Sequence, residues 1–369
     1  MPDLHIVGGS RDVAIVDGRV AARPRRGSPT HDASGLLVAP GLIDLQVNGA
    51  AGHDLTTSPE SIADVARALV RYGVTAFLPT IITAPPAAYM DARCAFAGWR
   101  QDGTSATPLG LHFEGPMLSP GRRGAHPPEH LREPSLELIE GWSREAGVAV
   151  VTLAPELPGA ALVISELRRR GVVVSLGHSE ATLGEAQAAA RLGATAVTHL
   201  YNAMGRFDHR TPGLLAAALA GMPALTCGLI ADRVHVSDAA IALAFRALGP
   251  DGVALVSDAM AGLGLTVGAR TLLGGLPVTV TPTGARRPDG GLAGSLRGLD
   301  AGLRTLIAAT GAPFEVAVAT VTATPARLLG LADRGHLDVG AVGDVVLFTP
   351  DFEVVVTVIA GRPVGVDSP

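Results

Sequence analysis

The 369-residue sequence contains no lysine, and all 29 of its basic residues are arginines. Without a lysine amine, the chain cannot form a Schiff base with a carbonyl substrate. It also cannot supply a carbamylated lysine as a bridge between two metal ions. Any catalytic metal must therefore be held by other side chains.

Other scarcities narrow the class of protein. The two cysteines, Cys94 and Cys227, give no disulfide framework. The net charge is -5 without a basic block, so we expect no nucleic-acid partner. The sequence shows no leader pattern and no apolar run of about 18 residues, so we expect no association with a membrane. Together these features predict a cytoplasmic protein.

Residues 41–334 alternate short apolar runs with amphipathic helical patterns, which is typical of βα units and a parallel sheet. Eight such units over this length predict a (β/α)8 TIM-like barrel, in the α/β class. Residues 266–291 are predicted to form a hairpin-like insertion in it. The eight apolar runs begin at Gly41, Val74, Pro108, Val148, Val172, Ala196, Ala224 and Val253.

The two ends of the chain have a different pattern. Residues 1–40 and 335–369 contain short β-like runs separated by glycine and aspartate turns. Neither end could bury an apolar face alone, so we expect both to pair into one small β-sandwich domain beside the barrel.

Polar residues at the ends of the predicted strands indicate a metal site. The active site of such a barrel lies at the carboxyl ends of its strands. Glu114 ends the third run, His178 the fifth, and His199 lies near the end of the sixth. One carboxylate and two imidazoles can hold a catalytic Zn²⁺ with a position left open. Zinc is our first choice of divalent metal, with Fe²⁺ or another ion as the alternative, because this ligand set is not selective.

Two further residues are candidates for catalysis. A bound divalent metal lowers the pKa of water to about 7, but a protein group must still take the proton and return it to the leaving group. Asp258, late in the eighth run, is placed for that role. The loop after Glu114 carries His126, which either polarises a carbonyl or is simply a solvent-exposed loop histidine.

With these residues assembled, the chain resembles the N-acetylglucosamine-6-phosphate deacetylases of the amidohydrolase superfamily. The resemblance spans nearly the whole length, and the order and spacing of its motifs make it specific. The chain departs from the family pattern at Arg122, Arg123, Pro127 and Ser257, none of which removes a catalytic group. The motifs that carry the resemblance are "APGLIDLQVNG", "GLHFEGPMLSPGRRGAHPP", "SLGHSEA", "VTHLYNAM", "GLIADRVHV", "LVSDAM", "LAGS" and "TATPARLLGL".

The resemblance implies a metal-dependent barrel with a small β-domain from both termini, usually as a homodimer. It implies removal of acetate from the 2-acetamido group of N-acetyl-D-glucosamine 6-phosphate in amino-sugar catabolism. The metal would be held by Glu114, His178 and His199, with Asp258 as acid and base and His126 polarising the acetyl carbonyl. The implied substrate contacts are Ala125, Asn202, Ala203, Arg210, His235, Leu292, Ala293 and Gly294.

The first strand carries the amides Gln46 and Asn48 at i and i+2, on one strand face. In related barrels an H-x-H pair there builds a second metal position, and some members of this family keep it. Amides are far poorer ligands for a transition metal than imidazoles, and no lysine is present to bridge two ions. We therefore predict one metal per subunit, with the second position vacated.

Three other functions remain open. The nearest is deacetylation of another N-acylated amino-sugar phosphate, such as N-acetylgalactosamine 6-phosphate. A cyclic-amide or deaminating amidohydrolase usually has the H-x-H pair that this chain lacks. A barrel that binds sugar phosphates without turnover is disfavoured by the intact set of Glu114, His178, His199 and Asp258.

Overall fold

The computed structural model describes residues 2–221 and 224–365. The first five strands of the chain are β1 (Leu4–Val7), β2 (Val13–Val16), β3 (Arg19–Ala21), β4 (Thr30–Asp32) and β5 (Leu37–Pro40). Four of them form a sheet in the order β3-β2-β1-β4, in which β1 is antiparallel to β2 and parallel to β4. The fifth strand, β5, leads into the barrel.

Eight parallel strands form the barrel, and each of the eight predicted runs contains or overlaps one of them, so the predicted fold is confirmed. The next strands along the chain are β6 (Leu42–Val47), β7 (Gly49–Ala50), β8 (His53–Asp54), β9 (Val74–Ile82), β10 (Thr107–Pro108), β11 (Leu111–Glu114), β12 (Val148–Leu153), β13 (Val173–Leu176), β14 (Ala194–Val197), β15 (Thr226–Leu229) and β16 (Val253–Leu255). The barrel itself consists of β6, β9 and β11 to β16.

The first and last barrel strands meet just beyond β16. Val47 and Ala259 form a parallel β-bridge there, and the backbone N–H of Asn48 donates to the carbonyl of Ala259 over 2.7 Å. Five of the barrel strands, β6, β9, β11, β12 and β16, are buried at every residue, since helices cover the outside and side chains fill the inside. This pattern explains why the runs are continuously apolar.

The helices pack around the barrel. The first turn of α4 has a capping box in which the Thr182 hydroxyl accepts from the N–H of Glu185, while the Glu185 carboxylate accepts from the N–H of Thr182. Gly249 interrupts α6. The helices are α1 (Ile62–Leu69), α2 (Pro86–Gly98), α3 (Ala160–Arg169), α4 (Leu183–Leu192), α5 (Gly213–Leu219), α6 (Asp238–Gly252), α7 (Leu299–Thr310), α8 (Phe314–Ala317) and α9 (Ala323–Leu328). Among the described residues, no helix is both long and apolar enough to cross a membrane.

The segment after the eighth barrel strand forms a three-stranded antiparallel sheet of β17 (Arg270–Leu273), β18 (Leu276–Thr281) and β19 (Gly284–Arg286). Its apolar side packs in one cluster with Ile82, the last residue of β9. A Cβ on Gly274 would lie 2.5 Å from the Ile82 side chain, so only glycine permits this close approach. The insertion therefore lies against the carboxyl end of the barrel.

The last strands return to the beginning of the chain. β20 (Val345–Phe348), β21 (Val354–Ile359) and β22 (Arg362–Gly365) form an antiparallel sheet in the order β22-β21-β20-β5. This sheet and the N-terminal sheet enclose a core of their own, separate from the barrel core. Both ends of the chain contribute to it, with Ile6 and Ile15 from one and Leu347 and Val358 from the other.

Candidate active site

Three barrel strands bring Glu114, His178 and His199 together at the carboxyl end of the barrel. Glu114 ends β11, and the histidines follow β13 and β14 closely. Glu114 Oε1 lies 3.2 Å from His178 Nε2 and 3.0 Å from His199 Nε2, and the two imidazole nitrogens lie 3.0 Å apart. All three side chains are buried. The three predicted ligands thus converge on one point.

The backbone and hydrogen bonds of the two histidines orient them. His178 has φ 49° and His199 has φ 29°, in the left-handed region that non-glycine residues rarely adopt and that clusters at functional sites. His178 Nδ1 lies 2.8 Å from the carbonyl oxygen of Arg122. Because a carbonyl only accepts, Nδ1 carries the proton and Nε2 presents its lone pair to the other two ligands. His199 Nδ1 is buried without a hydrogen-bond partner among the described residues.

The spacing of these three atoms fits a metal ion. In a tetrahedral site with nitrogen and oxygen ligands at ordinary distances, neighbouring ligand atoms are about 3.3 Å apart. The separations of 3.0 to 3.2 Å are close to that value. Burial raises the pKa of Glu114, but its close contacts with the imidazoles of His178 and His199 outweigh burial and hold this pKa well below its usual value. A divalent cation would thus be held by an ionised carboxylate and two imidazole nitrogens.

Asp258 lies beside this group, just after β16, and also has a positive φ, of 49°. Its Oδ1 accepts hydrogen bonds from Asn48 Nδ2 at 2.7 Å and Gln46 Nε2 at 3.1 Å. Burial, followed by the negative charge of Glu114, raises the pKa of Asp258 to about 7. A carboxyl group with such a pKa can both accept and release a proton near neutral pH.

The amides of the first barrel strand contact both carboxylates. Besides its bond to Asp258, Gln46 Nε2 donates to Glu114 Oε1 over 3.0 Å. The two side chains thus turn N–H donors, assigned from this network, toward the carboxylates. N–H donors repel a cation, whereas an imidazole pair would offer lone pairs to it.

His126 extends from the loop after β11 and closes one side of the group. Its Nε2 lies 3.8 Å from Glu114 Oε2, and its ring meets the His178 ring edge to face at 4.5 Å. Burial, followed by the charge of His178, lowers the pKa of His126 to about 3, so the ring is neutral. The solvent-exposed alternative is wrong, because His126 is only 3% exposed.

A cavity of about 140 Å³ opens over the ligands and Asp258. Ala293 lies in the apolar cluster next to it. Arg210 is exposed on the loop after β14, outside the lining of this cavity. The predicted substrate contacts that do line the cavity are Ala125, Asn202, Ala203, His235, Leu292 and Gly294.

Sequence reasoning missed several residues of the site. Ile82 and Leu273 form part of the cavity wall. Thr83 contacts His126. Asp232 ends the seventh predicted run but has no predicted role, and its Oδ2 lies 2.8 Å from His235 Nδ1. Ile82 and Thr83 directly follow the second predicted run, so the rule on strand ends could have identified them. No such pattern marks Leu273 in the sequence, because it reaches the cavity only when the insertion packs against the barrel.

One level deeper in the barrel lies a second polar group, which we call the hydroxyl layer: His112, Thr152, Thr198 and Ser175. Burial lowers the pKa of His112 to about 4, and its Nδ1 donates to the carbonyl of Leu45 over 3.1 Å. Its Nε2 therefore accepts from the Thr152 hydroxyl at 2.8 Å. Thr152 accepts from Thr198 and Thr198 from Ser175, each over 2.6 Å. Every group in this chain has a partner, which agrees with a structural role for His112.

The chain is similar to known proteins over most of its length. Residues 37–364 match the amidohydrolase family model. The human N-acetylglucosamine-6-phosphate deacetylase is 39% identical, over 98% of this chain and 90% of its own length. The enzyme of the same name from Bacillus subtilis (strain 168) is 35% identical, over 95% of this chain and 91% of its own length.

Solved structures of N-acetylglucosamine-6-phosphate deacetylases have the same fold as this chain. The N-acetylglucosamine-6-phosphate deacetylase of Pasteurella multocida superimposes with a TM-score of 0.91 at 27% identity, covering 98% of this chain and all of that one. A mutant N-acetyl-D-glucosamine-6-phosphate deacetylase from Mycobacterium smegmatis, in complex with N-acetyl-D-glucosamine-6-phosphate, has a TM-score of 0.87 at 32% identity. That comparison covers 98% of both chains.

Proposed function

This chain belongs to the amidohydrolase family and, within it, to the N-acetylglucosamine-6-phosphate deacetylases, and we propose that it converts N-acetyl-D-glucosamine 6-phosphate to glucosamine 6-phosphate and acetate. The observation that carries this proposal is the buried group of Glu114, His178 and His199 beside Asp258. It lies under a cavity lined by six of the residues that the family resemblance assigns to the substrate.

We propose one divalent metal ion per subunit, with zinc as the first choice and Fe²⁺ or another ion as the alternative. When bound, such an ion supplies a Lewis acid that lowers the pKa of water and polarises a carbonyl. Glu114, His178 and His199 are the one group of three or more potential ligands found in the part of the chain that the structure describes. The side-chain N–H groups of Gln46 and Asn48 support a single ion. They occupy the end of the first barrel strand, where the ligands of a second ion would lie.

The protein's own groups carry the proton transfers. Asp258 takes the proton of the attacking water and returns it to the departing nitrogen, for which its pKa near 7 is suited. Gln46 and Asn48 hold its Oδ1 in place. His126, as a neutral imidazole, donates a hydrogen bond to the carbonyl oxygen as negative charge develops there.

The sugar phosphate would be bound around the cavity mouth. Asn202, Ala203 and His235 line the cavity and are available to the sugar. Arg210 is exposed on the adjoining loop, and its guanidinium suits a phosphate group. The family resemblance also supports a cytoplasmic homodimer, which sedimentation equilibrium would test.

The direct test is acetate release from N-acetylglucosamine 6-phosphate, its galactosamine isomer and unphosphorylated N-acetylglucosamine, combined with metal analysis of the active protein. We expect the fastest release from the first substrate and a metal-to-subunit ratio of about one. Faster release from the galactosamine isomer would make that isomer the preferred substrate instead. A ratio near two in active protein would overturn the one-metal proposal, and no release from metal-loaded protein would overturn the activity.

A further inference from the structure

Thr83 is the first residue after β9 and is buried under the active site. Two of its atoms contact one atom of His126. The backbone N–H of Thr83 points at His126 Nδ1 over 3.2 Å, and the Thr83 hydroxyl oxygen lies 2.9 Å from the same nitrogen. Thr83 is not among the metal ligands and takes no part in the proton transfers of Asp258.

These two contacts decide where the imidazole proton lies. A backbone N–H can only donate, so a proton on Nδ1 would set two N–H groups against each other. Nδ1 is therefore the acceptor, and the Thr83 hydroxyl donates to it as well. In a neutral imidazole the single proton must then lie on Nε2. Nε2 is the nitrogen that faces Glu114 and the cavity.

The surroundings hold this arrangement in place. A Cβ on Gly115, next to Glu114, would lie 2.4 Å from the Thr83 hydroxyl, and Gly115 has φ 94°. Glycine at this position thus leaves room for the hydroxyl. On the other side, the backbone N–H of His126 donates to the carbonyl of Arg123, and the Arg123 guanidinium donates to the carbonyl of His126. The loop and the ring are therefore fixed from separate elements.

We propose that Thr83 is a positioning residue that fixes the Nε2–H tautomer of His126 and aims this donor at the carbonyl oxygen of the substrate. The catalytic meaning of the donor rests on the proposed function, whereas the tautomer itself does not. With the proton on Nδ1 instead, the lone pair of Nε2 would face the developing oxyanion and repel it. A donor oriented before the reaction needs no reorganisation during it.

Thr83→Val and Thr83→Ser form a matched pair. Valine keeps the size and the backbone N–H but loses the hydroxyl, whereas serine keeps the hydroxyl. In the zinc-loaded protein we expect Thr83→Val to lower kcat by about 10- to 100-fold with a much smaller change in KM, as for other residues that orient a catalytic group. Thr83→Ser should restore most of that loss.

Nitrogen NMR of histidine-labelled protein tests the tautomer without relying on turnover. The His126 signals are assigned by their loss in His126→Asn. In the wild type we expect an unprotonated Nδ1 and a protonated Nε2, and in Thr83→Val a mixture of tautomers or a broadened signal. A shared thermal unfolding midpoint for the two Thr83 variants would show that both are folded.

The outcomes separate the two proposals. A protonated Nδ1 in the wild type, or a Thr83→Val protein with the wild-type kcat and tautomer, would overturn the positioning role. If the wild type releases no acetate but has the expected NMR signals, the deacetylase function fails while the assignment of the tautomer stands.

Discussion

Two levels of the same barrel use histidine in opposite ways. In the upper level, which we call the ligand layer, His178 and His199 present nitrogens to Glu114 within 3.2 Å, where at most one proton fits between three potential acceptors. In the hydroxyl layer below, His112 accepts from one hydroxyl of a chain in which each hydroxyl donates to an acceptor. Both levels are fully buried.

The difference shows what separates a metal site from a structural network. Burial and a histidine are common to both, so neither is diagnostic. What differs is the balance of donors and acceptors, because a satisfied chain is stable as it stands, whereas converging acceptors need a cation. His112 and Glu114 lie two residues apart on β11, yet they belong to different classes by this criterion.

Removing Asp258, the proton acceptor beside the ligand layer, should have the largest effect. Asp258→Asn keeps the shape and the contacts of the side chain but cannot take a proton, so we expect kcat to fall by about 10²- to 10⁴-fold. Acetate release measures the rate, and metal analysis should show an unchanged ratio. Asp44→Asn is the matched control, since it is the same substitution at a buried aspartate outside the cavity. Equal losses in both variants would contradict a special role for Asp258.

Asp44 differs from both layers, because it has an unpaired acceptor but belongs to no group of three potential metal ligands among the described residues. Its Oδ1 accepts from the N–H groups of Gln46 and Ser257, while its Oδ2 has no partner among the described residues. Burial raises its pKa to about 6. The folded protein thus binds a proton that the unfolded chain has released, so this group lowers stability as pH rises from about 4 to about 6.

The expected size of this pH effect is about 3 kcal/mol. Urea unfolding of the wild type and Asp44→Asn from about pH 4 to about pH 7 measures it as the difference between the two proteins. Relative to the variant, the wild type should lose stability as pH rises. A difference that does not change with pH would mean that Asp44 is ionised throughout.

Substitutions in the hydroxyl layer should change the free energy of unfolding but not the rate of acetate release. Thr152→Val leaves His112 Nε2 without its donor and the Thr198 hydroxyl without its acceptor. We therefore expect the free energy of unfolding to fall by about 1–3 kcal/mol. Acetate release should stay within a few-fold of the wild type. Thr266→Val, at an exposed threonine, is the control and should change stability by less than about 0.5 kcal/mol. A large loss of kcat with unchanged stability would place Thr152 in the catalytic group.

The smallest effect is expected at Gln46, which contacts the carboxylates of Glu114 and Asp258. Gln46→Leu removes a donor but no ligand and no proton acceptor, so we expect kcat to fall about 10-fold. The metal-to-subunit ratio should remain at one. Binding of a second ion by the variant would show that the amide donors alone exclude it, and an unchanged kcat would remove Gln46 from the mechanism.

The barrel and much of its site could be predicted because their signals are local. Eight largely apolar runs predict eight buried strands, since a strand covered on both faces is apolar at most of its positions. Glu114, His178 and His199 stand at the ends of such runs, where the active sites of these barrels lie. The pair Gln46 and Asn48 could be placed on one strand face from the two-residue period alone.

Other features depend on atoms that are distant in sequence. Thr83 and His126 are 43 residues apart, and nothing in either neighbourhood predicts their contact. The packing of the insertion on Ile82, which brings Leu273 to the cavity, is equally invisible in the sequence. So are the positive φ angles of His178, His199 and Asp258, because no glycine marks them.

From the sequence alone we could predict which chemical groups stand at the end of each strand and, since lysine is absent, that no carbamylated lysine bridges two metal ions. The tertiary structure was needed to establish which nitrogen of His112 and of His178 carries a proton and which buried acceptors lack a donor. Strand positions follow from a local period, whereas protonation and metal binding depend on distances of about 3 Å between separate elements.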